Sequence, residues 1–155
     1  MSMLKIITNP NPILKKKSKP VTDVFDAEIK KLIPELRETM LKADGLGLAA
    51  PQVSQNIRLI AVRYEDGSLA IINPKIIKKS ILKEWGEEGC LSVPHTFGQV
   101  KRHKSITIQY LDESGCEKKL HAKGMLARVL QHEMDHLDGV LFIDKAKNIF
   151  DDRKE

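Results

Sequence analysis

Apolar residues recur at helical spacing from Asp26 to Ala43, at Ile29, Leu32, Ile33, Leu36 and Met40. The pattern predicts a helix, and Pro34 inside it is expected to kink the helix or restart it there. The period then changes. Ile57–Tyr64 and Leu69–Ile72 are apolar and β-branched, and Glu65-Asp66-Gly67-Ser68 between them reads as a hairpin turn, with Lys75–Leu82 continuing as strand. Ser105–Leu111 alternates, placing Ile106, Ile108 and Tyr110 on one face, and Asp112-Glu113-Ser114-Gly115 turns it into Cys116–His121. Leu4–Ile7 reads as a short strand before a proline-rich stretch through Pro20. A second helical run goes from Met125 to Leu137, preceded by Gly124 and followed by Gly139 as a C-terminal cap. After it come the apolar Val140–Ile143 and a charged tail, 145–155, expected to be frayed or one helical turn. Together these elements predict an α+β fold, with antiparallel sheets wrapped around a buried central helix.

That second helix carries the chemistry. Met125, Val129, His132 and His136 fall on one side, and Leu126, Leu130, Glu133 and Leu137 on the adjacent one, so more than half its circumference is suited to burial. Two histidines four apart project from one helix face and can reach one metal ion, and the glutamate between them can accept a proton from metal-bound water. The bland alternative is a pair of hydrogen-bonded core histidines. Burying two imidazoles and a carboxylate among Leu, Val and Met is costly without a metal or partners.

Two histidines leave a catalytic site one protein ligand short. A third histidine six residues after His136 would extend the motif, but Phe142 stands there. Asp144, Asp151, Asp152 and Glu155 lie downstream without a pattern that places them. Cys90, in Gly86-Glu87-Glu88-Gly89-Cys90-Leu91-Ser92-Val93-Pro94, is the better candidate, since a thiolate with two imidazoles suits Zn²⁺ or Fe²⁺. Its alternative fate, shared with Cys116, is that of a small hydrophobe. Gly45-Leu46-Gly47-Leu48-Ala49-Ala50-Pro51-Gln52 lacks the ending of a phosphate loop. It reads either as a helix-to-strand connection or as a close backbone approach in which Gln52 donates to a reacting oxygen.

These three stretches, in this order, resemble the signature of the peptide deformylase family: Gly-apolar-Gly-apolar-Ala-Ala-x-Gln at 45–52, Glu-Gly-Cys-Leu-Ser at 88–92, and Gln-His-Glu-x-Asp-His at 131–136. The segments Ile72-Asn73-Pro74, Val100-Lys101-Arg102 and His136–Phe142 are similar too, and the resemblance runs from about Ile6 to Asp144. It implies an amidohydrolase that removes the formyl group from the N-terminal formyl-methionine of newly made proteins and releases formate. It also implies that Cys90, His132 and His136 hold one divalent metal ion, Fe²⁺ natively, with Zn²⁺, Ni²⁺ or Co²⁺ accepted. Metal-bound water becomes the nucleophile, Glu133 the general acid/base, and Gln52 with the Leu91 N–H the oxyanion donors. The peptide is expected to dock as an added strand near Leu46, Gly47 and Gly89. Met125 and Val129 line the methionine pocket, with Arg128 a departure expected to charge the pocket rim. His95-Thr96-Phe97 replaces the commoner glycine-containing loop.

Composition adds limits. The 155 residues suit one domain, 41% of them are hydrophobic, and no apolar run reaches membrane-spanning length. The first residues lack an apolar signal core, so a cytoplasmic location is expected. A net charge of +5 arises partly from Lys15-Lys16-Lys17 and Lys78-Lys79. It reads as a solvated basic face or as weak attraction to the ribosome, where nascent formyl-methionyl substrates emerge. Membrane and DNA are not expected partners. His103 and His121 are expected to have no role. Two rivals remain. A metallopeptidase would need room on both sides of the scissile amide, and a structural metal site would need a fourth ligand and no Glu133.

Overall fold

The computed structural model describes residues 3–153. Among these described residues, two α-helices and eight strands follow one another: α1 (Ala27–Lys42), β1 (Gly47–Ala49), β2 (Leu59–Tyr64), β3 (Gly67–Lys79), β4 (Lys83–Cys90), β5 (Val93–His103), β6 (Ser105–Leu111), β7 (Glu117–Lys123), α2 (Gly124–Leu137) and β8 (Lys147–Asp151). Antiparallel pairing builds a five-stranded sheet in the order β1-β2-β3-β6-β7 and a three-stranded sheet in the order β4-β5-β8.

The five-stranded sheet is loaded on both faces. Leu59 and Ala61 of β2 join Leu32, Ile33, Leu36 and Met40 of α1 in one cluster, whereas Ile60 and Val62 join Ala127, Leu130, Met134 and Leu137 of α2 in another. Alternate residues of one strand thus feed opposite cores, which is why Leu59-Ile60-Ala61-Val62 is apolar without a break. On its far side α2 meets β4 and β5: Gln131 donates to the carbonyl of His103 and accepts from its amide. The expected α+β architecture is present, with α2 held between the sheets.

Helix ends follow local chemistry. Asp26 caps α1 by accepting from Glu28 N–H at 2.9 Å. At the end of α2, Gly139 takes φ +75°, its N–H reaching the carbonyl of His136 and Val140 N–H that of Asp135. This Schellman pattern closes the helix one residue past the motif, at Leu137. Pro34 does not restart α1. The helix runs through it as one 16-residue element, because Pro34 lies on the exposed side while the opposite face is buried.

Several expectations are corrected. Leu4–Ile7 forms no strand: Leu4 N–H donates to Thr39 Oγ1, Ile7 N–H to the carbonyl of Gln52, and Leu4 and Ile6 pack on the α1 cluster. Lys75–Leu82 stays in β3 only to Lys79, and the chain then turns into β4. The tail is neither frayed nor helical between Lys147 and Asp151, where β8 pairs with β5, while Glu155 lies outside the described residues. The 83–103 hairpin that presents Cys90 carried no strand signal.

Candidate active site

β4 places the first group. Glu88 and Cys90 are two apart at the end of the strand and both reach α2, Glu88 at His132 and Cys90 at His136. One turn of α2 separates His132 from His136. The ligating atoms of Cys90, His132 and His136 lie within 4.8 Å of one another, with Cys90 Sγ 3.3 Å from His136 Nε2. Gln52 closes a third side from the 3-10 turn after β1. Its Oε1 accepts from Ala49 N–H at 2.9 Å, which fixes the amide so that Nε2 faces Ser92 Oγ at 3.0 Å and Cys90 Sγ at 3.5 Å. Glu133 Oε2 sits 4.0 Å from His132 Nε2, and Oε1 is buried with no hydrogen-bond partner among the described residues.

The imidazole of His132 is fixed from behind. Its Nδ1 is 2.8 Å from Glu88 Oε1, leaving Nε2 toward Cys90, and Phe142 stacks on the ring at 6.0 Å between centroids. Arg102 donates to both Glu88 oxygens at 2.9 Å and to Asp135 Oδ2 at 2.5 Å. Glu88, Arg102, Ser92 and Phe142 had no role assigned from sequence. Glu88 was findable, being two residues before Cys90 on an extended segment.

Charge is arranged to match. Burial opposes ionisation of Glu88, but the hydrogen bonds and charges of Arg102 and His132 outweigh it and hold the carboxyl well below the usual range. Burial, aided by the Glu88 charge, pushes Glu133 up to about 7, against the pull of His132 and Arg102. Burial and the neighbouring His132 and Arg102 charges keep His136 neutral. For His132, burial alone favours the neutral ring. Hydrogen bonds to Cys90 and Glu88, with the charges of Glu133 and Cys90, nonetheless raise it to about 10. A thiolate and two imidazoles, one oriented by a carboxylate, suit a divalent ion of the Zn²⁺ or Fe²⁺ type.

Cys90 and His132 of the cluster form part of the wall of one cleft of about 520 Å³. Leu46, Gly47, Gly89, Leu91, Met125, Arg128 and Val129 all line it, alongside Gln52, Cys90, His132 and Glu133. Gly47 is there because nothing larger fits: a Cβ would lie 2.7 Å from Glu133 Oε2. The rim includes His95, whose Nδ1 is 3.1 Å from Asp152 Oδ1 and whose carbonyl accepts from Asp152 N–H. One expectation fails here. Arg128 does not charge the rim, because its guanidinium is buried against Glu88 and the carbonyls of Val100 and Glu84. Cys116 is exposed in the turn before β7 and does not line the cleft.

A buried carboxyl beside a thiol and two imidazoles, at the wall of a cleft large enough for a small ligand, is the arrangement of a metal-assisted hydrolase. Comparison with known proteins narrows the class. The polypeptide deformylase family model matches residues 3–151. The peptide deformylase of Syntrophomonas wolfei subsp. wolfei is 46% identical over 146 residues, covering 94% of this chain and 95% of that protein. That of Symbiobacterium thermophilum is 46% identical over 154 residues, covering 96% of this chain and 69% of that protein. The crystal structure of peptide deformylase from Thermotoga maritima superposes with a TM-score of 0.91 at 41% identity, covering 95% of this chain and 99% of that one. The chain belongs to the polypeptide deformylase family.

Proposed function

We propose that this enzyme hydrolyses the formamide at the N-terminal formyl-methionine of newly made peptides, releasing formate and a free amine, with one divalent ion held by Cys90, His132 and His136. The observation that carries this reading is the convergence of those three ligating atoms within 4.8 Å, with Cys90 and His132 on the wall of a cleft that Glu133 and Gln52 also line. When bound, the ion supplies Lewis acidity, acidifying a water and polarising the formyl oxygen. Fe²⁺ is the expected native ion, with Zn²⁺, Ni²⁺ or Co²⁺ accepted.

The remaining steps belong to the protein. Glu133 takes the proton lost by water as its oxygen bonds to the formyl carbon. The same carboxyl then protonates the amine nitrogen as the C–N bond breaks. A carboxyl poised at about 7 suits both halves of that exchange. Gln52 Nε2, already turned toward Cys90, donates to the developing oxyanion together with the N–H of Leu91, each donor worth about 3–4 kcal/mol. The peptide backbone adds as a strand beside Leu46, Gly47 and Gly89, and its methionine side chain rests on Met125, Val129 and the aliphatic stem of Arg128. No described helix is long and apolar enough to cross a membrane. Nascent chains in the cytoplasm, met at the ribosome through weak basic contacts, are the proposed substrates in the cell.

Anaerobic purification, metal analysis and formate release from a short formyl-methionyl peptide test the reading, with the acetyl peptide as control. One ion per chain and formate from the formyl peptide alone is the expected result. Glu133→Gln is expected to keep the ion and lose nearly all turnover, and undiminished turnover in that variant would remove Glu133 from the mechanism.

A further inference from the structure

Arg128 stands one helical turn before His132 on α2, yet its guanidinium leaves the cleft and turns in behind the site. Nη1 donates to Glu88 Oε2 at 2.7 Å and to the carbonyl of Val100 at 2.9 Å, and Nη2 donates to the carbonyl of Glu84 at 2.9 Å. The side chain is 10% exposed. Space for it comes from Gly86, where a Cβ would meet Arg128 Cζ at 2.7 Å.

Glu88 is therefore held from three directions. Arg102 spans both carboxylate oxygens, Arg128 adds a bond to Oε2, and Oε1 meets His132 Nδ1. The two arginines are not equivalent. Arg102 also serves Asp135, which Lys145 contacts at 3.0 Å near the surface, so its position answers to a second carboxylate. Arg128 is bonded to Glu88 and otherwise to backbone of β4 and β5. It ties the carboxylate directly to the strand pair that carries Cys90.

We propose that Arg128 is a positioning residue for the metal site: by pinning Glu88 to the β4–β5 hairpin it fixes the His132 ring and sets the affinity of the Cys90–His132–His136 triad for its ion. This rests on the triad holding a divalent ion. Carboxylates behind ligating histidines commonly contribute 10–100-fold to metal affinity. Without Arg128, Oε2 of Glu88 keeps only its bond to Arg102 Nε and loses the link to the carbonyls of Val100 and Glu84, so the carboxylate is held less firmly and the imidazole it orients can shift with it.

The test measures Zn²⁺ affinity by chelator competition and the visible spectrum of the Co²⁺-loaded protein. Variants are Arg128→Met, Arg128→Lys, Glu88→Gln and the Arg128→Met/Glu88→Gln double substitution. Arg128→Met keeps the apolar stem and is expected to weaken Zn²⁺ binding at least about 10-fold and to shift the Co²⁺ bands. Arg128→Lys, which retains a charged donor to Glu88, is expected to recover most of that loss and serves as the readout if the methionine variant does not fold. The double variant is expected to bind no more weakly than Glu88→Gln alone, because Arg128 acts through Glu88. Unchanged Zn²⁺ affinity and an unchanged Co²⁺ spectrum in Arg128→Met, with only thermal stability lowered, would overturn the proposal. So would full additivity in the double variant. Failure of the unsubstituted protein to bind Zn²⁺ would instead overturn the metal-site reading beneath it.

Discussion

Gly47→Ala is a small change with a large expected effect. The added methyl would lie 2.7 Å from Cγ and Oε2 of Glu133 and 2.9 Å from Cδ. Ordinary contact begins at 3.4 Å, so the carboxylate has to retreat by about 0.7 Å. It has little freedom to do so by moving its helix, because Leu130, Met134 and Leu137 of α2 are buried against the five-stranded sheet. The displacement therefore falls on the Glu133 side chain itself. Misplacement of a reacting group by about 1 Å costs on the order of 100-fold, so kcat for formate release is expected to fall roughly 30- to 100-fold. Cys90, His132 and His136 are untouched, and the ion content per chain is expected to stay at the unsubstituted level. Stability is expected to change little, since alanine is favoured over glycine in a strand by about 0.5–1 kcal/mol, which offsets part of the crowding. The assay compares kcat, KM and metal content for the two proteins. A metal-loaded Gly47→Ala enzyme with kcat within threefold of the original would show that Glu133 does not need its observed position.

Pro34→Ala is expected to stabilise the protein by about 1–3 kcal/mol, because an exposed proline in a helix interior removes a hydrogen bond and alanine restores it. Thermal unfolding checks this, and an unchanged or lowered Tm would refute it. Phe142→Ala removes a ring that is 1% exposed and stacked on His132, and is expected to lower stability by about 3–5 kcal/mol in denaturant unfolding. Asp144 is expected to give a pH-dependent contribution. Burial raises its pKa, but the Leu141 amide and the Lys15 ammonium outweigh this and hold it below the ordinary carboxylate value. A lowered folded-state pKa adds stability above the unfolded value of about 3.9 that is lost as pH falls through the folded one. The Tm gap between the original protein and Asp144→Asn should accordingly shrink on acidification from neutral pH, and a gap independent of pH would refute the assignment.

Legibility in the sequence followed the strength of local signals. The hairpin from Leu59 to Ile72 announced itself by β-branched runs around a short polar turn, and α2 by its apolar stripe and Gly139. The β4–β5 hairpin did not. Lys83–Cys90 contains two glycines and three glutamates, residues that disfavour strands, and forms one because its backbone pairs along the whole of β5. Glu88 and Arg102 are poor strand or core residues singly and are buried only because they neutralise each other. β8 is similar: Lys147–Asp151 resembles a solvated tail and is ordered by a partner more than forty residues away. Tertiary pairing outweighed propensity in each case. His132, Glu133 and His136 were visible because helix spacing is local, whereas Cys90 and the groups that orient the histidines come from separate strands.

β1 ends the five-stranded sheet, and it is three residues long. An extended peptide laid along that margin would be gripped over about 10 Å and no further. Beyond that length the guest leaves the protein unread. If the proposed peptide docks there, such brevity would make the enzyme attentive to how a chain begins and indifferent to what the chain will become.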